Sequence, residues 1–175
     1  MKRRHDGGDP QTPSLVGGSP QTPARGLGLL LLLAALTGCG HPFVPFTPPG
    51  FVDLGTRYPD GEYRAVTAEN VVIGIRAWDN DPRGNLAFWS RALERRMREM
   101  GGYALLDKRD VAARAGLTGV AMRFGHDEGR TPYLYTVAIF VTDKKIYVVE
   151  AGGIKDEVTK VEPLIQQAIT SLGPK

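Results

Sequence analysis

The chain reads as an α+β protein: a mainly antiparallel β-sheet with long α-helices packed on it. Three observations predict this class. Residues 119–125, 133–142 and 145–151 read as strands separated only by short polar breaks, so they form a meander that needs no crossover helix. Residues 86–100 and 156–172 instead place apolar side chains every three or four positions, as one face of a helix does. In 133–142 both alternating sets are largely apolar, Tyr133, Tyr135, Val137, Ile139 and Val141 against Leu134, Thr136, Ala138, Phe140 and Thr142. Such a strand belongs in the middle of a sheet covered on both sides.

Taken in order, the chain opens on low complexity. Residues 7–26 hold a ten-residue near-duplication rich in Pro, Gly and polar side chains, too poor in apolar surface to fold. Arg25 then precedes residues 26–36, an uncharged apolar run of eleven residues, too short for a membrane-spanning helix and suited to a secretory signal. Leu36, Thr37, Gly38 and Cys39 follow, and this order behind a basic flank resembles the lipobox of bacterial lipoprotein precursors. The resemblance implies that residues 1–38 are removed as a signal peptide, with Leu36, Thr37 and Gly38 as the signal-peptidase recognition residues. It also implies lipidation of Cys39 by diacylglyceryl and fatty acyl groups such as palmitate. At about 0.8 kcal/mol per buried methylene, several chains together hold a protein on a membrane where one does not. Gly40 stands where many bacteria read an aspartate as an inner-membrane retention mark, which favours the periplasmic side of the outer membrane.

Composition bounds what remains. Residues 39–175 suffice for one domain with a substantial core. The full chain is basic, with 22 Lys and Arg against 19 Asp and Glu. Four of those basic and two of those acidic residues lie in 1–38, leaving 18 against 17, a net charge of +1, so no nucleic-acid partner is expected. Cys39 is the single cysteine, which rules out an internal disulfide and a cysteine-containing zinc site.

Residues 39–59 carry the lipidated cysteine and then five prolines interleaved with Phe43, Val44 and Phe46. Extended polyproline-type backbone suits a semi-rigid tether. A plain spacer is the expectation, docking of its aromatics on the domain the alternative. A single α+β domain is expected over 60–175, starting at a turn signal at 60–61. Residues 63–67 and 71–78 read as strands joined by a hairpin at Glu69 and Asn70; in the second, Val71, Ile73, Ile75 and Ala77 share one face. Asn85 or Asp81 is suited to cap the helix that follows, and Pro82 suits an early helical position. That helix presents Leu86, Trp89, Leu93, Met97 and Met100 on one face, and Gly101 and Gly102 stop it. Residues 103–106 read as a short strand, the conformation of 107–118 stays open, and 126–132 reads as a polar loop. The closing segment carries Val158, Val161, Leu164, Ile165, Ala168, Ile169 and Leu172 at helical spacing, with Pro163 either kinking it or starting its second part.

With the segment Ala87, Phe88, Trp89, then residues 135–141, 146–153 and 169–172, the region 60–175 resembles the PsbP-like fold, an α/β/α sandwich shared by extrinsic photosystem subunits and DcrB-type bacterial lipoproteins. The resemblance implies a non-enzymatic domain that binds or supports other proteins at a membrane, and it brings no catalytic residue to carry over.

Candidate chemistry is sparse. Residues 79–84 begin like a calcium loop, yet Arg83 and Ser90 occupy positions 5 and 12, where oxygen ligands are needed, so capping and turn formation is the better reading. His126, Asp127 and Glu128 are consecutive and do not converge on one ion easily. Arg91, Arg95, Arg96 and Arg98 are diluted by Glu94 and Glu99 into a solvated helix face. Serine-hydrolase, phosphate-loop and dinucleotide motifs are missing, and no cofactor is expected. The function expected is that of a membrane-anchored, non-catalytic binding or accessory module at the cell envelope, partnered with the membrane through its lipid and with an envelope protein. The alternative is an envelope hydrolase using His126 with nearby carboxylates. A pocket where His126 meets Asp or Glu from another element favours the hydrolase; an exposed loop histidine favours the binding module.

Overall fold

In the structure, a computed structural model that describes residues 41–55 and 62–175, the alternating segments pair as one antiparallel sheet. Leu36, Thr37, Gly38, Cys39 and the turn expected at 60–61 lie outside the described residues. A short pair, β1 (Phe43–Val44) and β9 (Gly173–Pro174), stands apart. The main strands are β2 (Val52–Asp53), β3 (Tyr63–Val66), β4 (Val72–Asp79), β5 (Ala104–Ala112), β6 (Thr118–Glu128), β7 (Thr131–Val141) and β8 (Lys145–Ile154). Their order across the sheet is β2-β3-β4-β8-β7-β6-β5, which puts the doubly apolar β7 in the interior, as its two-sided pattern requires.

The connections explain the pairing. Asn70 adopts φ 63° in the β3–β4 hairpin, where the Thr67 and Val71 backbones bond. Thr142 Oγ accepts from the Lys145 N–H at 2.9 Å and closes the turn into β8. The polar loop expected at 126–132 is instead strand almost throughout: β6 continues to Glu128, β7 begins at Thr131, and Gly129 at φ 64° turns the chain between them. Backbone pairing between the two strands needs no apolar side chain, so polarity concealed it. The undecided stretch 107–118 is mostly β5, an edge strand, followed by a tight turn over Arg114–Gly116. Asp107, Lys108, Arg109 and Asp110 give that edge a charged surface that resists pairing with another chain.

The long helices expected on the sheet are corrected to three short ones: α1 (Leu86–Glu99), α2 (Lys155–Lys160) and α3 (Glu162–Ser171). Asn85 caps α1, its Oδ1 accepting from the Phe88 N–H at 2.8 Å, while Pro82 lies outside the helix. Met100 falls at the helix end and is 80% exposed, so it leaves the expected apolar face. The closing segment breaks at Val161 (φ −107°, ψ 11°), because Pro163 has no N–H to donate and its ring crowds the preceding turn. Pro163 therefore starts α3.

Each face of the sheet has its own core. On one side Leu86, Trp89, Leu93 and Met97 of α1 pack on Met122, Phe124, Val137, Ile139 and Val148. On the other, Val158 of α2 and Ile165, Ala168 and Ile169 of α3 pack on Ile73, Ile75, Ala138, Phe140 and Val149. Residues 41–55 differ from the plain spacer expected of them. Phe43 is 0% exposed and Phe51 is buried in the second core, β1 pairs with β9, β2 pairs with β3, and Tyr63 donates to Thr47 Oγ at 2.7 Å. The docking alternative is the one these residues adopt.

Candidate binding site on the open sheet face

The α1 side of the sheet is covered unevenly. The helix covers β5, β6, β7 and Ile146 and Val148 of β8, while Arg64 of β3, Arg76 and Trp78 of β4 and Glu150 of β8 are left partly exposed on that face. A pocket of about 320 Å³ opens there, walled by Tyr103, His126, Tyr133 and Tyr135 and floored by Arg76 and Glu150.

Glu150 is an acidic residue inside an otherwise apolar strand. Its Oε2 accepts from Tyr135 Oη at 2.5 Å and from Arg76 Nη2 at 2.7 Å. Arg76 also faces Glu62 Oε1, with its Nε at 3.5 Å. Both partners lie diagonally across the ladder from Glu150: Gly74 is the register partner of Glu150, and Gly152 that of Tyr135. The two glycines make the arrangement sterically possible. A Cβ at Gly74 would stand 3.2 Å from the Glu150 side chain, and one at Gly152 would stand 2.9 Å from the Tyr135 ring.

The electrostatics follow from burial and pairing. Burial raises the Tyr135 phenol well above its ordinary range, and the Glu150 carboxylate raises it further, so Tyr135 is a hydrogen-bond donor. Burial pulls the Arg76 guanidinium down, but Glu150 and Glu62 together outweigh it and the net shift is upward. Glu150 is thus a carboxylate whose charge is already answered by a cation and a phenol.

His126 sits on β6, half-buried, and not on a loop. Its ring lies against Tyr103 with centroids 4.9 Å apart, and Tyr103 in turn contacts Tyr135 at 5.9 Å. The structure brings His126 into the same pocket as Glu150 of β8, yet its ring partner there is aromatic and Glu150 is held by others. Asp127 and Glu128, beside it in sequence, are exposed at the end of the strand. No group of three His, Cys, Asp or Glu among the described residues is placed to hold a metal ion. Asn80, the second residue of the calcium-like segment, turns its side chain to Gly84, Thr142 and Trp89. On α1, Arg95 pairs with Glu99, Arg98 pairs with Glu94, which also meets Lys108 of β5, and Arg91 bonds the Ala87 carbonyl.

Arg76, Tyr135 and Glu150 were not singled out from sequence as a site. The signal available was one charge of each sign, Arg76 and Glu150, inside apolar strands; their meeting depends on register, which side-chain pattern does not reveal.

No protein-family model matches the chain, and no curated protein matches it. Its fold is similar to that of LpqN, involved in cell envelope biogenesis of Mycobacterium tuberculosis, at 13% identity over 79% of this chain and 87% of that one, with a TM-score of 0.55. Weaker likenesses are to a protein of unknown function, PA94 from Pseudomonas aeruginosa (15% identity, 71% and 81% covered, TM-score 0.49), and to cyanobacterial PsbP from Synechocystis sp. PCC 6803 (13%, 77% and 87%, 0.48). At such identities the first likeness speaks for the fold alone, and the other two are too distant to carry an argument.

Proposed function

We propose that the chain is an acylated lipoprotein of the cell envelope, anchored through Cys39, whose PsbP-like domain binds an envelope protein through the open sheet face and catalyses no reaction. The observation that carries this reading is the pinned Glu150. A catalytic histidine–carboxylate pair needs the two side chains in hydrogen-bond contact; Glu150 Oε2 instead accepts from Tyr135 and Arg76, and the His126 ring lies against Tyr103. What the pocket offers a partner is a preformed surface of tyrosines, a histidine and the ion-paired Arg76 and Glu150, with Glu62, Arg64 and Glu128 also in its lining. Tyrosine and arginine are the residue types that dominate binding at interfaces. The fold shared with LpqN is in keeping with an envelope role. Among the described residues no helix is long and apolar enough to cross a membrane, so attachment in this reading falls to the lipid.

Two measurements test it. Cys39→Ala should abolish incorporation of an acyl label and leave the signal segment uncleaved; normal labelling and gel mobility would remove the anchor from the reading. A photo-crosslinker at Tyr133, in the pocket, should capture an envelope protein from native membranes, whereas one at Gln167, exposed on α3, should not. Because His126 and Glu150 share the pocket, a chromogenic ester screen is the counter-test. Turnover that disappears with His126→Gln would replace the binding reading with the hydrolase.

A further inference from the structure

A second cavity lies beside the first, in the cleft between α1 and the uncovered part of the sheet. It measures about 420 Å³ and is lined by Trp78, Trp89, Leu93, Met97, Val137 and Val148. Trp78 is 43% exposed, an apolar surface left largely uncovered among the described residues. The cleft meets the first pocket at Arg76, Tyr135 and Glu150, which line both. Arg96, exposed on α1, stands at its rim and makes no ion pair among the described residues.

We propose that this cleft binds a single unbranched acyl chain ending in a carboxylate, with the head received by Arg96 and the Arg76 Nε–H. Four observations lead there. The lining is mostly apolar and carries two arginines, Arg76 and Arg96, the composition of a site for an anionic amphiphile. The volume lies near the low end of the range for small-molecule pockets, roughly 300 to 1,000 Å³, which suits one chain and not two. Arg76 Nε is buried and donates to nothing among the described residues, since Glu62 at 3.5 Å lies outside hydrogen-bond geometry; a carboxylate oxygen would satisfy it. Glu150, the one acidic group in the lining, is already paired with Arg76 Nη2 and hydrogen-bonded by Tyr135, and Arg96 brings the further positive charge that the head needs against Glu150 and Glu62. An extended peptide is a poorer occupant. The walls are side chains of helix and strand interiors, whose backbone groups are paired, and a peptide backbone would find no partners there.

The proposal rests on reading the chain as a binding module, but its test needs neither acylation nor an envelope partner, so the two fail separately. Trp78 and Trp89 are the chain's two tryptophans and both line the cleft, so intrinsic fluorescence reports its occupancy. The full chain, made by cell-free synthesis without acylating enzymes, is titrated with dodecanoate below its micelle concentration and with dodecyltrimethylammonium. A saturable blue shift with dodecanoate is expected, at least tenfold tighter than with the cationic probe. Arg96→Glu should erase that preference. Ala92→Phe, at an exposed position on the cleft rim, should abolish the shift, and Arg91→Glu, outside the cleft, should leave it unchanged. No saturable shift, equal response to both probes, or a shift that survives Ala92→Phe would overturn the proposal.

Discussion

The indole N–H of Trp89 donates to Asn80 Oδ1 at 2.9 Å, fastening the start of α1 to the end of β4. The same oxygen accepts from the Gly84 N–H at 2.9 Å, and Asn80 Nδ2 donates to the Gly84 and Thr142 carbonyls at 2.9 and 2.8 Å. Asn80 is buried and its partners Gly84, Trp89 and Thr142 are half-buried, so these bonds are partly shielded from competing water, and its loss leaves several partners unmatched at once. Asn80→Ala should therefore cost about 3 kcal/mol in urea melts. Asn85→Ala, which removes only an exposed helix cap, should cost about 1 kcal/mol. Equal losses for the two variants would show that Asn80 is not the joint between α1 and the sheet.

Phe43 makes residues 41–55 part of the fold. Its ring is among the largest fully buried side chains, and removing such a ring typically costs about 3 to 5 kcal/mol. Phe43→Ala should destabilise by that order, and a chain starting at residue 60 should melt below one starting at residue 40. Identical melting of the two lengths would return these residues to the role of a spacer.

How far the sequence discloses this molecule depends on what each element buries. Strands β4, β6, β7 and β8 were legible because their side chains alternate against two apolar cores. Strand β5 was not: Asp107, Lys108, Arg109 and Asp110 lie at a solvated edge, where no core imposes a pattern. Phe43 and Phe51 sit among prolines, and composition alone does not separate an aromatic that docks from one that dangles. The pocket was the least legible part, because Arg76, Tyr135 and Glu150 meet across three strands whose register only backbone pairing fixes.

Helices on opposite faces should respond to truncation in proportion to burial. Ile169 of α3 is 1% exposed, so Ile169→Ala should cost about 2 to 5 kcal/mol. Leu93 of α1 is only partly buried beside the open cleft, and Leu93→Ala should cost less than Ile169→Ala. Arg95, exposed and paired with Glu99 on the same helix, should change stability by less than about 0.5 kcal/mol when replaced by Ala. Denaturant melts in which both apolar variants match Arg95→Ala would mean that the helices do not cover the sheet.

Tyr135 links the pocket to alkaline stability. Its phenol is raised in the folded chain, first by burial and then by the Glu150 carboxylate, above the value of about 10 found for a free tyrosine. A group raised in this way contributes stability that is fully present below the unfolded value and is lost as pH rises through the folded one. Stability should thus fall with increasing pH above about 10. Tyr135→Phe should flatten that fall in part, with Tyr63 continuing to contribute because burial raises its phenol too. Absorbance titration of the folded protein should show a late-ionising tyrosine that disappears in Tyr135→Phe and moves to lower pH in Glu150→Gln, where the carboxylate charge is gone. Gly152→Ala should act in the same direction as Glu150→Gln, since its Cβ would displace the Tyr135 ring and loosen the bond to Glu150. A late ionisation unchanged in Tyr135→Phe would mean that Tyr135 does not donate to Glu150, and the pinned carboxylate on which the binding reading stands would have to be given up.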